Sequence, residues 1–172
     1  MAQTIVLTVT SPDRPGLIDR LSTVLLAHGA NWQESRLVTL SGQFAGLLLA
    51  SLPDAELNPL RSDLEGLSRE GLAVSVVLCG AAPEGLAPRA LQLQMTGQDR
   101  PGIIHEISHV LAACGVSIDE LDSRCLSASW SGEVMFQVTA ALSVPADLPT
   151  ARLREVLEAL GNELMVDIEL DE

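Results

Sequence analysis

Two short loops carry the residues best suited to holding a small charged ligand. Asp13-Arg14-Pro15-Gly16 returns as Asp99-Arg100-Pro101-Gly102, an offset of 99 − 13 = 86 residues. Proline fixes its own φ near the helical value and bars the helical region to the residue before it. The spacing therefore predicts a helix starting at Pro15, with Arg14 half-in, and the amides of Gly16 and Leu17 pointing outward without partners. Such an end carries partial positive charge and suits a carboxylate. Gly16 has no side chain, so a ligand can approach the backbone closely. Gly102 and Ile103 are its second-copy counterparts. Asn31, after the helix, supplies a donor and acceptors, and the topology predicts it at the same end of the module as the loop. The chemistry expected is recognition of a small amino acid, carboxylate on the amides and ammonium on the Asn31 carbonyl or a backbone oxygen. A solitary DRPG reads first as a plain turn, since Asp, Pro and Gly are ordinary turn formers and Asp13 can simply cap a helix. Two copies make it a module signature without showing a ligand.

The likeness runs past the motif. Ile18/Ile104, Ser22/Ser108, Val24/Val110, Leu25/Leu111, Ala27/Ala113 and Gly29/Gly115 also agree, so the chain reads as two copies of one module. Each opens with a period-two strand: Ile5, Leu7 and Val9 on one face, then Leu91, Leu93 and Met95. Periodicity then turns helical. Leu17, Leu21, Val24, Leu25 and His28 share one face; Ile103, Ile107, Val110, Leu111 and Cys114 share the other copy's. Gly29 and Gly115 end these helices in the left-handed region. Hairpins follow over about Asn31–Leu52, bent at Ser41-Gly42, and about Ser117–Leu142, bent at Ser131-Gly132. A second helix starts at an Asn58 cap with Pro59 in its first turn and closes at Gly71. Its counterpart, through Leu153, Val156, Leu157 and Leu160, closes at Gly161. Strands Leu72–Leu78 and Met165–Leu170 end the copies.

The order βαββαβ, twice, predicts an α+β chain of two ferredoxin-like domains in tandem, with antiparallel sheets and helices on one face. The expected boundaries are 1–80 and 89–172, with a Gly/Pro-rich linker at 81–88. The third strand, Phe44–Ala50, is apolar on both sides and reads as a surface awaiting a sister domain or a second chain, so a homo-oligomer is expected.

Composition narrows the function. The net charge of −13, with ten scattered basic residues, argues against direct binding of nucleic acid or anionic lipid. Hydrophobic residues make up 47% of the chain and no apolar run reaches the ~20 residues of a membrane helix. Met1–Thr10 lacks the marks of a signal peptide, and Cys79, Cys114 and Cys125 read as small buried hydrophobes in a reducing compartment, so a soluble cytoplasmic protein is expected.

His105-Glu106-Ile107-Ser108-His109 matches HExxH, and both histidines fall on one helix face. That face lies opposite the apolar stripe, copy one has Asp19 and Thr23 there, and no third ligand is apparent, whereas catalytic zinc needs three protein ligands. A hydrolase on this helix stands as a competing hypothesis that metal analysis would settle. His28 reads as a packed histidine at the negative helix end. Asp63/Glu65 and Asp167/Glu169 read as solvated faces, while Trp32 and Trp130 suit either a partner surface or the core. No catalytic residues and no cofactor are expected.

Strand, D-R-P-G-[LI]-I, a helix ending in Gly, then Asn31-Trp32-Gln33-Glu34-Ser35-Arg36-Leu37 resembles the ACT domain, a regulatory amino-acid-binding module. Two such modules and nothing else resemble the family of glycine cleavage system transcriptional repressors. The resemblance implies a regulator without catalysis, with glycine as the sensed metabolite, working through a LysR-type activator protein and without touching DNA itself. It places ligand positions on Asp13, Arg14, Pro15, Gly16, Leu17 and Asn31, and in copy two on Asp99, Arg100, Gly102, Ile103 and Ser117. Ser117 replaces Asn31 there and makes fewer hydrogen bonds, which puts two equivalent sites in doubt. A ligand-independent interaction module is the alternative.

Overall fold

The computed structural model describes residues 2–80, 88–127 and 134–171. The chain divides into two compact units, residues 1–83 and 84–172. Most of the expected linker, as well as Trp130 and the Ser131-Gly132 bend, lies outside the described residues. The first unit runs β1 (Ala2–Pro12), α1 (Leu17–Ala27), β2 (Asn31–Leu40), β3 (Gln43–Pro53), a 3₁₀ turn (Asp54–Glu56), α2 (Leu57–Arg69) and β4 (Ala73–Leu78). The second runs β5 (Arg89–Gln98), α3 (Ile103–Ala113), β6 (Ser117–Ser127), β7 (Val134–Val144), α4 (Thr150–Leu164) and β8 (Val166–Asp171). The sheets have the orders β2-β3-β1-β4 and β6-β7-β5-β8, every pairing antiparallel. These are two ferredoxin-like α+β folds, as the element order predicts.

In each unit alternation buries one sheet face under two helices. Ile5, Leu7 and Val9 meet Leu17, Leu21 and Leu25 of α1 and Leu60, Leu64 and Leu67 of α2 in one core. Leu91, Leu93 and Met95 meet Ile103, Ile107 and Leu111 of α3 and Leu153 and Leu157 of α4 in the other. Trp32 is half-buried against the first core, which answers its sequence ambiguity in favour of packing. No helix among the described residues is long and apolar enough to cross a membrane.

The open faces differ. Rows across the first sheet read Glu34–Leu49–Val6–Val77, Arg36–Leu47–Thr8–Ser75 and Val38–Ala45–Thr10–Ala73. The equivalent rows of the second read Glu120–Ala141–Gln92–Asp171, Asp122–Thr139–Gln94–Glu169 and Arg124–Gln137–Thr96–Asp167. The first face is largely apolar, with Leu47, Val38 and Val77 exposed, as the apolar third strand predicts; the second is polar.

Four local expectations need correction. The helix after Asp54 starts at Leu57, not at an Asn58 cap, because a 3₁₀ turn leads into it; Pro59 is then its third residue, where the missing amide still costs no intrahelical bond. Gly161 does not close α4, which runs on to Leu164 and ends on Met165 at φ 55°. Gly161 is there because β8 crosses closely: a Cβ would meet the Val166 carbonyl oxygen at 3.0 Å. The cysteines are not buried: Cys79 and Cys125 are exposed and Cys114 is intermediate. Cys79 follows one edge strand and Cys125 lies on another, where only one neighbouring strand gives cover. Asp63 is not merely solvated, because its Oδ2 lies 2.9 Å from His28 Nε2.

Candidate functional site

The loop geometry departs from the sequence expectation at its centre. The residue that caps α1 is Gly16, at φ 89° and ψ 4°, and the helix starts at Leu17, not at Pro15. Gly102 does the same for α3 at φ 97° and ψ −9°. Proline needs negative φ, so Pro15 and Pro101 belong to the turn, and the left-handed step that launches each helix falls to glycine. A Cβ on Gly16 would meet nothing within 4 Å, so here glycine answers a backbone requirement, with open space beside it.

No side chain caps either helix, so the amides of the first turn lack side-chain acceptors. The motif arginines are engaged elsewhere. Arg14 donates from Nη2 to the Glu70 carbonyl at 2.7 Å, tying the loop to the end of α2, and Arg20 pairs with the Glu70 carboxylate. Arg100 instead turns onto Glu106 in the first turn of α3, Nη2 to Oε2 2.6 Å. The hairpin joins the same end: the amides of Asp13 and Asp99 donate to the carbonyls of Gly42 and Val134 at 2.8 and 2.9 Å.

A hollow opens beside each loop. The first, of about 370 Å³, is lined by Asp13, Arg14, Gly16, Leu17, Ile18, Asp19, Thr39 and Phe44. The second, of about 460 Å³, is lined by Gln98, Asp99, Arg100, Glu106 and the end of α4 at Glu163, Leu164 and Met165. Both volumes lie in the range of small-ligand sites. Thr39, Phe44 and the α4 end were not singled out from sequence. The signal was available, because antiparallel pairing of β1 with β3 must bring the hairpin turn to the loop end. The second hollow is the more acidic, with Asp99, Glu106 and Glu163 against Arg100, and the Glu106 carboxylate already occupies the first turn of α3.

Asn31 and Ser117 line neither hollow. Asn31 pairs with Ser51, which pairs with Thr4 near the start of β1; the loop follows Pro12 at its end. Eight residues of strand separate the levels, about 27 Å at 3.4 Å per residue. Ser117 stands at the level of Ala90, whereas the second loop follows Gln98. The expectation that loop and second strand meet at one end of the module is therefore wrong: β2 runs parallel to β1, so it starts where β1 starts.

His28 caps the far end of α1 and engages both ring nitrogens. Its Nδ1 lies 2.8 Å from Glu56 Oε2 and its Nε2 2.9 Å from Asp63 Oδ2. The hydrogen bond to Glu56, then that to Asp63, raises its pKa above the ordinary imidazole value, against partial desolvation. It clamps α1 to the start of α2. The HExxH histidines, His105 and His109, are exposed on α3 with ring centroids 6.1 Å apart. No group of three or more His, Cys, Asp or Glu able to hold a metal ion occurs among the described residues.

The model of the ACT domain family matches residues 3–77 and 89–171. The chain belongs to the ACT-domain family. As a tandem ACT protein it is similar to the glycine cleavage system transcriptional repressor of Escherichia coli, at 25% identity over 161 residues, covering 93% of this chain and 85% of that one. Among solved structures it is similar to an unknown protein from Galdieria sulphuraria, with TM-score 0.89 and 29% identity, covering 100% and 99% of the two chains. A structure described as a putative glycine cleavage system transcriptional repressor shares both ACT folds, with TM-score 0.72 and 19% identity over 99% and 97% of the chains.

Proposed function

We propose that this tandem ACT protein is an amino-acid-responsive regulator of glycine cleavage system expression. It works in the cytoplasm through a protein partner and takes a small amino acid, glycine first, at the first loop. The observation that carries this reading is the hollow beside an uncapped helix start, walled by Asp13, Gly16, Leu17 and Ile18. The amino acid's carboxylate lies on the first-turn amides and its ammonium faces the Asp13 side. The net charge of −13 disfavours phosphate contact and supports leaving DNA binding to the partner.

Asn31 joins this site from a second copy of the chain. β2 is an edge strand on which Glu34 and Arg36 flank Ser35. Antiparallel pairing of two β2 strands about Ser35 sets each Glu34 opposite the other chain's Arg36, a favourable cross-strand pair made twice. A bulge between Trp32 and Glu34 shortens the strand by one level, so the same operation carries the second chain's Asn31 to the level of Val38, beside Thr39, which lines the hollow. On β6 it would set Glu120 opposite Asp122, like charges, and the acidic second hollow also disfavours a carboxylate. Asp99, Arg100, Gly102, Ile103 and Ser117 therefore form the weaker site.

One observation favours a purely associative role: the apolar open face of the first sheet, with Leu47, Val38 and Val77 exposed. Calorimetry with glycine, serine and alanine separates the readings. The sensor binds at least one of them, and Asn31→Ala takes that binding below detection. Silence toward all three at millimolar concentration, with self-association intact, leaves the associative role.

A further inference from the structure

The three histidines of the chain divide into one that is locked and two that are available. His28 spends both ring nitrogens on Glu56 and Asp63. The imidazole rings of His105 and His109 make no hydrogen bond within the described residues; their one ring contact is with each other, at 6.1 Å between centroids and 29° between ring planes. Both are exposed. They stand at i and i+4, one above the other on the solvent face of α3, opposite the buried stripe of Ile103, Ile107 and Leu111. Rotation about exposed side-chain bonds brings two imidazole nitrogens to about 2 Å from a single ion.

We propose that His105 and His109 form a two-imidazole site for one late first-row divalent cation on the outer face of α3. Two neutral nitrogen ligands suit Cu2+, Ni2+ and Zn2+, and the general affinity order at such ligands puts Cu2+ first. Two protein ligands leave the remaining positions to water, so the site binds and staples one turn of helix; it lacks the three protein ligands of a catalytic zinc centre. The site belongs to the second module alone, because Asp19 and Thr23 occupy the equivalent positions of α1. It does not depend on the amino-acid reading.

The test uses the full chain without a histidine tag, titrated with Cu2+ and followed by calorimetry and electron paramagnetic resonance. The expected result is one Cu2+ per chain with two nitrogen ligands in its spectrum. Both features are lost in His105→Ala and in His109→Ala and kept in His28→Gln. Ni2+ and Zn2+ bind the same residues more weakly. Both substituted side chains are exposed, and circular dichroism checks that the variants fold. Copper stoichiometry and spectrum unchanged by His109→Ala, or no copper binding by the parent chain, overturns the site.

Discussion

Asn31 and Gly16 stand at opposite ends of the same four-stranded sheet, although the sequence predicts both as contacts for one bound amino acid. No small ligand spans that distance, so the two residues serve one ligand only across a subunit boundary. A complementation experiment follows. Asn31→Ala and Ile18→Trp, the latter filling the hollow, each abolish amino-acid binding in a pure dimer. Mixed at equal amounts with exchange allowed, they form heterodimers in which one of two sites has both an intact loop and an intact Asn31. Calorimetry should then recover about a quarter of the parent site number. No recovery on mixing, with exchange verified, rules out the shared site.

The proposed β2–β2 pairing would carry its own charge signature. Glu34→Arg, or Arg36→Glu, puts like charges opposite each other twice and should weaken dimerisation by about tenfold. The double exchange Glu34→Arg/Arg36→Glu restores opposite charges and should restore the dimer, as should mixing the two single variants. Sedimentation velocity at low salt reads all four cases. Equal association constants throughout would place the interface elsewhere.

The fold was legible because its signals are local: Ile5, Leu7 and Val9 alternate, and Leu17, Leu21 and Leu25 recur at helical spacing. Gly16 was legible as special, yet for the wrong reason. A sequence shows that glycine is used, but not whether it makes room for a ligand or supplies positive φ, and here φ decides. Asn31 was misplaced because strand direction is a property of pairing, which no single segment encodes. Gly161 looked like a helix end because its real neighbour, β8, is a tertiary contact. The cysteines looked buried because apolar flanks do not distinguish an edge strand from a central one.

His28 gives the first module a pH-dependent clamp. Its folded-state pKa lies above that of the free imidazole. The clamp's contribution is therefore whole below about pH 6.5, where folded and unfolded chains both carry the proton. It is lost as pH rises through the raised folded value. His28→Gln should cost about 1 kcal/mol at pH 6, a modest figure because Glu56 and Asp63 are substantially exposed. The cost should shrink as pH rises and the parent chain loses its own clamp. Urea unfolding of both proteins from pH 5.5 to 9 checks the sign; a cost that grows with pH would refute the charged clamp.

Gly97 offers a test of packing in the second module that is independent of any ligand. It is paired with Val166 across β5 and β8, and with Phe136 on the other side. Its backbone is not in the left-handed region, so alanine is conformationally acceptable there. A Cβ at Gly97 would nevertheless overlap the Val166 side chain, which leans over the strand. Gly97→Ala should therefore destabilise by about 1–3 kcal/mol, the usual cost of an overpacked core. Val166 is itself 8% exposed and part of the second core, so Val166→Ala also costs stability on its own. Val166→Ala removes the Cγ1 methyl that a Cβ at Gly97 would meet most closely and keeps the Val166 Cβ, so the combined changes relieve part of the same overlap, and the double variant should cost less than the two separate values added. Denaturant unfolding of the four proteins closes this cycle. Strict additivity would mean that β8 moves away without resistance and that Val166 is not what keeps position 97 a glycine.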